Sequence, residues 1–402
     1  MAESGAPAES PIASRAARVT LVMSLLFCAY GMTLAFLPRW LEVERGLDGA
    51  GIGAILALAQ FTRILTGPAV AFWADGADDR RTPIRLVLLA AVIAYTAFFF
   101  VADDFWSLLA IGFVALSLTQ AATPLIEAAT LRATAEGKVT YGVARGIGSI
   151  TFIVANIAGG VLIARFGLIA VVAWTMTFLS LTALSAWGTL KPDPPLTRAP
   201  RAARFDALQT LLRSRRFLIL VFACGLIQSG HAFYYSFSVI VWRGQGIPAE
   251  TVGVLWAFGV AVEVALLWSL ASIERRITPE ALILIGAGGG FLRWLALGFA
   301  PTGFVLWPLQ ALHALSFAAA HVGAMKLLYR DAPESGAAMA QNIYAALSSG
   351  LLMGGATMLS GVLYDAIGAG GYWAMAGLAL AGGALALLLV PPSQRTPAAT
   401  SS

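Results

Sequence analysis

Charged residues are scarce in this chain. Asp, Glu, Lys and Arg make up 12% of its 402 residues, whereas roughly 25% is usual in a soluble domain. Hydrophobic residues reach 59% and the mean hydropathy is +0.80. A soluble fold of this length cannot bury so much apolar surface, because it has to cover itself with polar groups. The composition excludes a cytosolic enzyme, a nucleic-acid-binding domain and a disordered scaffold, and it indicates a helical protein that crosses the bilayer several times.

Cysteine and histidine are also rare. The two cysteines, Cys28 and Cys224, lie inside apolar runs, so we expect no disulfide framework. Of the three histidines, His313 and His321 are eight residues apart, which is not the spacing that places two metal ligands on one helical face. The sequence has neither a Walker loop nor a Gly-x-Ser-x-Gly elbow. We therefore predict no enzyme activity, no bound metal and no cofactor.

Long apolar runs dominate the rest of the sequence. A run of roughly 20 such residues spans the bilayer as a helix, and continuous rather than alternating runs favour helices over a barrel. The first 17 residues are polar and small, and the first run is too long for a signal-peptide core, so we expect an uncleaved first span. The sequence predicts an all-α membrane protein with twelve transmembrane helices at Val19–Trp40, Gly51–Trp73, Ile84–Ala102, Trp106–Leu131, Arg145–Arg165, Leu168–Leu190, Phe217–Trp242, Thr251–Ser272, Glu280–Ala300, Val305–Leu328, Ala338–Leu363 and Gly371–Val390.

The distribution of basic residues predicts the orientation. With the N-terminus in the cytoplasm, the cytoplasmic segments and their flanks hold 20 of the 26 Lys and Arg residues, and the opposite side holds four. Such a bias sets topology at insertion. We expect both termini on the cytoplasmic side of the cytoplasmic (inner) membrane. One connection, residues 191–216, is long and rich in proline and basic residues, and we expect it in the cytoplasm as well.

The two sides of that long connection repeat each other. Gly46-Leu47 with Gly53 matches Gly246-Ile247 with Gly253, and Gly160-Val161-Leu162 with Gly167 matches Gly361-Val362-Leu363 with Gly368, at offsets of 200 and 201. Chance matches are common in spans rich in Gly, Ala and Leu, but a constant offset favours a duplication. We predict two six-helix halves, residues 1–190 and 217–402, joined by a cytoplasmic linker at 191–216. Two such halves around a midplane cavity are the architecture of the major facilitator superfamily.

Ionisable residues within the spans are candidates for function, because a charge in mid-membrane is costly unless it is paired, faces a cavity or binds substrate. Arg63 lies about 18 Å into the second span and Glu263 about as deep in the eighth, at matching positions of the repeat. Arg293 lies slightly deeper in the ninth span and is the opposite charge nearest to Glu263 in depth within the same half. A buried carboxylate or imidazole is a candidate to bind a proton on one side and release it on the other.

Each of these candidates also has a plainer interpretation. Arg63 and Arg293 are compatible with a structural role, and Arg145 and Lys326 with snorkelling towards the membrane surface. A lone histidine in a span is often a satisfied polar contact. The remaining polar and aromatic stripes are equally typical of helix contacts: Trp256 with Glu263, Gln120 with Glu127, and Gln228 with His231 and Tyr235.

Four segments carry a resemblance to a known family. Residues 141–149, Tyr-Gly-Val-Ala-Arg-Gly-Ile-Gly-Ser, resemble the start of the fifth span in the lactose permease and 3-phenylpropionate permease group of the major facilitator superfamily. Residues 228–238 and 255–264 resemble the seventh and eighth spans of the 3-phenylpropionate permeases, and the spacing from His313 through His321 to Lys326 resembles their tenth. The resemblance is specific for the subfamily and much less so for the substrate.

The resemblance implies where substrate and protons bind. Residues at Glu127, Arg145, Glu263, Arg293 and His321 fall where that group has its substrate-contacting and proton-coupling side chains. Gly146-Ile147 replaces a bulkier pair, so the cavity wall differs, and Lys326 stands near a position where lactose permease has a coupling carboxylate. Residues 74–81 are a degenerate form of the superfamily's gate motif between the second and third spans, of which Asp75, Arg80 and Arg81 carry over.

The sequence thus predicts a secondary transporter, a proton symporter of an aromatic carboxylate such as 3-phenylpropionate. Its expected partners are the substrate, protons and the lipid bilayer, without nucleic acid, and we expect a monomer. The alternatives are a sugar or nucleoside symporter and a non-transporting receptor or sensor on the same fold. We assign proton coupling to Glu263, His321 and Arg293, the gate to Asp75, Arg80 and Arg81, and substrate binding to Arg63, Glu127, Arg145, His231, Tyr235, Trp256 and His313.

Overall fold

A computed structural model describes residues 14–64, 69, 73–74, 77–135, 140–192, 209–273, 277–331 and 337–391. Within those ranges every regular element is helical, and ten helices are long and apolar enough to cross a membrane. One of the ten, Met339–Leu389, contains both the eleventh and the twelfth predicted spans, and the second span forms a shorter apolar helix, Gly49–Ile64. The predicted all-α membrane fold is confirmed, and the helices agree with twelve spans.

The first six helices follow the predicted spans closely. Side-chain caps mark several helix starts: Ser14, Asp48 and Thr140 each accept a hydrogen bond from a backbone amide three residues later. Residues 65–68 and 70–72 of the second predicted span lie outside the described ranges. The helices are α1 (Arg15–Arg45), α2 (Gly49–Phe61), α3 (Arg81–Phe100), α4 (Phe105–Ala135), α5 (Tyr141–Phe166) and α6 (Ile169–Thr189).

The second set of helices is less regular. Helix α7 is broken at Gly230, where an added Cβ would lie 2.9 Å from Trp294 Nε1 and 3.1 Å from the Ile227 carbonyl. Helices α10 and α11 each contain a π-helical segment, a distortion that frequently marks functional sites. The elements are α7 (Arg215–Ser229 and Ala232–Gly244), α8 (Ala249–Ile273), α9 (Pro279–Leu297), α10 (Leu306–Ala311, π-helical Ala314–Ala319 and Ala320–Asp331), α11 (Ala337–Tyr344, π-helical Ala345–Leu352 and Met353–Ile367) and α12 (Gly371–Ala386).

The glycines of the sequence repeat lie where the two sets of helices cross. Helix α2 packs against α11 at Gly53 and Gly361, where a Cβ on Gly361 would lie 2.3 Å from the Gly49 carbonyl oxygen. Helix α8 packs against α5 at Gly253 and Gly160, where a Cβ on Gly160 would lie 2.4 Å from the Ala249 carbonyl oxygen. No side chain fits at such distances, so glycine is required for both crossings. The repeat therefore records two equivalent contacts at one end of the bundle.

A carboxylate reinforces one of these crossings. The two oxygens of Asp365, near the end of α11, accept hydrogen bonds from the backbone amides of Gly49 and Ala50 at 2.8 and 2.7 Å. Those amides begin α2 and have no partner within their own helix, and the helix N-terminus attracts negative charge. Asp365 thus caps a helix of the other set and holds the bundle closed at the end where α1 meets α2.

A cavity lies at the other end of α10. Helix α10 runs from the closed end towards Asp331, and its later turns border a cavity of about 700 Å³. The cavity is lined on this helix by His321, Val322, Met325, Lys326, Tyr329 and Arg330. Three of these lining side chains, His321, Lys326 and Arg330, are basic or become so on protonation, and the other three offer apolar surface.

Candidate functional site

A chain of three ionisable side chains connects α8, α9 and α10. His313 Nε2 lies 3.2 Å from Oε2 of Glu263 on α8, and His313 Nδ1 lies 2.9 Å from an Nη atom of Arg293 on α9. The sequence placed Arg293 closest in depth to Glu263 among the opposite charges of residues 217–402, and the structure puts the His313 ring between them. Glu263 and Arg293 are therefore coupled through an imidazole and not by a direct ion pair.

The contact with arginine fixes the proton position on His313. A guanidinium group is a donor only, so Nδ1 of His313 accepts a hydrogen bond and carries no proton. The proton of the neutral ring then lies on Nε2, where it is donated to Glu263. Protonating His313 on Nδ1 requires loss of the Arg293 contact. Of these three linked side chains, Glu263 is therefore the one that is available to take up a proton in this conformation.

Neutral polar groups hold the other edges of Arg293, whose exposed fraction is 0%. Its Nη atoms donate to Oε1 of Gln310 at 2.9 Å and to Oγ of Ser316 at 3.4 Å. Ser316 Oγ also lies 3.1 Å from His231 Nε2, and His231 Nδ1 lies 3.0 Å from the Gln228 carbonyl oxygen. The described residues place no carboxylate within 4.0 Å of Arg293. The carboxylate to which its hydrogen bonds lead is Glu263, through the His313 ring.

Aromatic rings surround this buried charge. The Arg293 guanidinium carbon lies 4.5 Å from the ring centroids of Tyr234 and Trp294, and cation–π contacts offset part of the cost of desolvation. Tyr234 stacks on Trp256 with centroids 4.7 Å apart, and Trp256 Nε1 donates to Ser238 at 3.2 Å. Trp256 is buried, so the stripe that it forms with Glu263 in the sequence is a helix contact in this conformation.

A second charged group lies among the first six helices. Arg145 Nε lies 3.5 Å from Glu127 Oε1, and both side chains are about one-third exposed, at 38% and 35%. The Arg145 guanidinium lies 4.4 Å from the Phe27 ring centroid. Electrostatic interaction links Glu263 to Arg145 across the halves and to His321 on α10. The Glu127–Arg145 pair therefore adds charge from the first six helices to the surroundings of Glu263.

Arg63 differs from the other mid-span arginines. Its Nε atom donates to Oε1 of Gln120 at 2.6 Å, and its side chain is exposed. No acidic side chain among the described residues lies within 4.0 Å of it, and Glu127 interacts with it electrostatically at a longer distance. Gln120, which the sequence placed on one face with Glu127, thus holds Arg63 from the adjacent helix without neutralising it. A cation that is accessible and held in place by a neutral partner is suited to binding an anion.

The remaining predicted substrate contacts are less accessible. His231 and Trp256 are buried, His313 is nearly so and Tyr235 is partly buried, whereas His321 is exposed at the cavity. Phe317 stacks between His313 and His321, with centroid separations of 5.4 and 6.1 Å. The π-helical segment contains Phe317, so the eight-residue spacing brings both histidines onto one continuous aromatic stack.

Of the predicted gate residues, Asp75 lies outside the described residues. Arg80 is buried. Arg81 pairs with Asp79 and its guanidinium contacts the Leu190 carbonyl oxygen at 3.4 Å. In this conformation Arg81 therefore ties the start of α3 to the end of α6, within the first set of helices.

Three neutral residues of the site were not predicted as site residues from the sequence. Gln310, Ser316 and Tyr234 complete the surroundings of Arg293, and each is buried. Gln310 precedes His313 by one helical turn in an otherwise apolar segment, which is a usable signal. Ser316 and Tyr234 carry no such signal, because serine and tyrosine are frequent in membrane helices.

Comparisons with known proteins agree with this architecture. The family model described as "MFS_1 like family" matches residues 17–375. The "Probable 3-phenylpropionic acid transporter" of Escherichia coli is 28% identical over 361 residues, 88% of this chain and 92% of that protein. The maltose permease of Geobacillus stearothermophilus is 27% identical over 386 residues, 96% of each protein. The solved structure of the nucleoside transporter NupG matches with a TM-score of 0.80 at 14% identity, over 93% of this chain and 98% of that chain.

Proposed function

Since this chain belongs to the MFS_1 like family, we propose that it takes up a small aromatic carboxylate, such as 3-phenylpropionate, together with protons. Membership makes the protein a membrane-embedded secondary transporter of the major facilitator type and not an enzyme, as the sequence predicted. The identity of the substrate and the coupling to protons are the parts that we propose.

The observation that carries the proposal is the charge left over at the cavity. Three arginines and two glutamates of the predicted site lie within the bundle: Arg63, Arg145, Arg293, Glu127 and Glu263. Glu127 pairs with Arg145, and Glu263 is coupled to Arg293 through His313. Arg63 is left with an exposed guanidinium and a neutral partner. An uncompensated charge in a low-dielectric cavity favours a ligand of opposite sign.

The planar fork of arginine suits a carboxylate in particular. It binds both oxygens through two parallel hydrogen bonds, and the Gln120 contact to Nε leaves the two Nη groups for that role. Aromatic side chains near the cavity, Phe27 and Tyr235 among them, offer apolar surface for a ring. The relative named for 3-phenylpropionic acid supports this choice at 28% identity.

Proton coupling follows from placing a second carboxylate in the same cavity. A bound anion and an ionised Glu263 repel each other, so binding of the anion favours the protonated form of Glu263. The linkage is reciprocal, and protonation of Glu263 favours binding of the anion. Anion and proton then cross together, and we assign Arg293 and His321 to the surroundings that tune this step.

The orientation and gating complete the proposal. We propose a monomer in the inner membrane, with both termini and residues 191–216 in the cytoplasm between the halves 1–190 and 217–402. The closed end held by Asp365 then faces the periplasm, and the cavity at His321 opens to the cytoplasm. Asp75, Arg80 and Arg81 lie in the segment that closes the cytoplasmic side when the transporter reverses.

A sugar remains the alternative substrate class, because the maltose permease relative is 27% identical over nearly the whole chain. A counterflow assay on purified protein in liposomes separates the two. Vesicles preloaded with unlabelled 3-phenylpropionate are expected to accumulate the labelled acid, and its uncharged amide is expected to compete about tenfold less well or worse. That factor corresponds to about 1.4 kcal/mol of binding free energy.

Equal competition by acid and amide, or counterflow only with maltose or a nucleoside, overturns the choice of substrate. Binding of the acid without any counterflow indicates a sensor in place of a transporter. Vesicles that lack the protein measure passive entry of the acid, which has to be subtracted because weak acids cross bilayers in their neutral form.

A further inference from the structure

We propose that Gln310 is a positioning residue that directs the charge of Arg293 onto His313 and Glu263. The inference rests on the proposed function, because it concerns how strongly the transporter holds its coupled proton. Gln310 touches neither the cavity nor Glu263, and its exposed fraction is 0%. It acts through Arg293. Its amide oxygen accepts a hydrogen bond from the guanidinium and carries no charge, whereas a glutamate at this position would accept the same bond with a negative charge.

The orientation of the Gln310 amide is fixed by its neighbours. Oε1 accepts hydrogen bonds from Arg293 at 2.9 Å and from the Tyr234 hydroxyl at 3.0 Å. A guanidinium only donates, so the oxygen and not the nitrogen faces Arg293. Helix α8 packs against this amide at Gly259, one turn before Glu263, where an added Cβ would lie 3.4 Å from Oε1. Gln310 Oε1 therefore lies beside the segment of α8 that precedes Glu263.

The guanidinium of Arg293 is held on both sides. One Nη group donates to Gln310 and the other to His313 Nδ1, and the fork is rigid and planar. The contact to Gln310 thus sets where the second Nη group points. Because Gln310 carries no charge, the positive charge of Arg293 is not cancelled on this side. The positive potential of Arg293 therefore stabilises the ionised form of Glu263, which is linked to it through the neutral His313 ring.

Other ionisable groups also interact with Glu263 and Arg293 and contribute to the electrostatic potential at both side chains. Those facing Glu263 are His313 and His321 on α10, Arg145 on α5 and Tyr235 on α7. Those facing Arg293 are Tyr234, Tyr235 and His231 on α7, His313 on α10 and Tyr372 on α12. None of the groups facing Arg293 is a carboxylate, so an acidic residue at position 310 introduces a kind of charge that the native surroundings of Arg293 do not contain.

The Gln310→Glu variant tests the inference because it keeps the size and shape of the side chain. The new carboxylate pairs with Arg293 and weakens the positive potential at Glu263. Glu263 then keeps its proton at higher pH. We expect the midpoint of the pH dependence of 3-phenylpropionate uptake to move to higher pH by about 0.5 unit or more, while counterflow at saturating proton concentration persists.

Two further variants complete the experiment. Ser238→Ala removes the buried hydrogen bond from Trp256 and leaves every hydrogen bond of Arg293 in place, so its midpoint is expected to remain at the wild-type pH. Gln310→Met removes the acceptor without adding charge, and it keeps the inference testable if Gln310→Glu fails to reach the membrane. A displaced midpoint is expected for Gln310→Met as well, by about 0.5 unit or more in either direction.

The outcomes separate this inference from the proposed function. A wild-type protein whose uptake of the acid does not depend on pH overturns the proposed proton coupling and this inference with it. A pH-dependent wild type with unchanged midpoints in Gln310→Glu and Gln310→Met overturns only the role of Gln310. A shift of equal size in Ser238→Ala shows that any loss of a buried hydrogen bond has this effect, and it also overturns that role.

Discussion

Glu263→Gln is expected to lower proton-driven accumulation of substrate at least about tenfold. The amide has nearly the shape of the carboxyl group, so the contact with His313 at 3.2 Å can be kept, but it cannot exchange a proton. A transporter locked in the equivalent of its protonated state still binds anion and still exchanges it across the membrane. Net uptake requires release of the proton on the inner side, and that step is lost.

The measurement compares uptake against a proton gradient with counterflow in the same vesicles. The matched control is Glu250→Gln, which makes the same substitution at an exposed position in the first turn of the same helix, and it is expected to accumulate substrate like the wild type. Wild-type accumulation by Glu263→Gln would show that the carboxylate has a structural role or none. Loss of counterflow as well as accumulation would place Glu263 in substrate binding.

Arg63→Gln is expected to abolish the preference for the acid over its amide. Competition by the acid should weaken about tenfold or more, because the bidentate ion pair with the carboxylate is lost. Competition by the uncharged amide should change little, since it does not use that charge. Glutamine keeps a polar side chain that can still bind Gln120 Oε1, so the fold around α2 and α4 is expected to persist.

The control for this prediction is Arg165→Gln, which removes an exposed arginine in the last turn of α5, away from the cavity. This variant is expected to keep the wild-type preference. An acid preference that survives in Arg63→Gln contradicts the assignment of the carboxylate to Arg63. The same competition assay on Arg145→Gln would then test the pair with Glu127 as the anion site.

Much of the fold follows from the sequence, because a bilayer leaves few choices. Apolar runs of about 20 residues can only be helices there, and the observed helices begin and end near the predicted spans. The repeat was also readable, since Gly53, Gly160, Gly253 and Gly361 lie at crossings that exclude any side chain. The break at Gly230 and the π-helical segments of α10 and α11 were not predicted, because they arise from packing between helices.

The candidate site was predictable in its charges and not in its connections. Glu263, Arg293 and His313 stood out as ionisable groups in apolar spans, but which of them touch depends on helix rotation. The structure inserts His313 between the other two. It also shows Trp256 and His231 in contacts between helices, the plainer of the two interpretations that their spacing allowed. A charged residue in an apolar span stands out in the sequence because its burial costs free energy. A neutral partner such as Gln310 has a smaller cost of burial and does not stand out in this way.

The central claim is that an aromatic carboxylate and a proton cross the membrane together. The most direct measurement follows the external pH of a weakly buffered suspension of liposomes that contain the protein, after addition of 3-phenylpropionate or its amide. After subtraction of the rise seen in vesicles without protein, the acid is expected to raise the external pH as protons enter with it, in wild-type protein and in Glu250→Gln but not in Glu263→Gln, whereas the amide produces no change. Protein-dependent entry of the acid without any rise in external pH, or an equal rise in Glu263→Gln, would contradict the account.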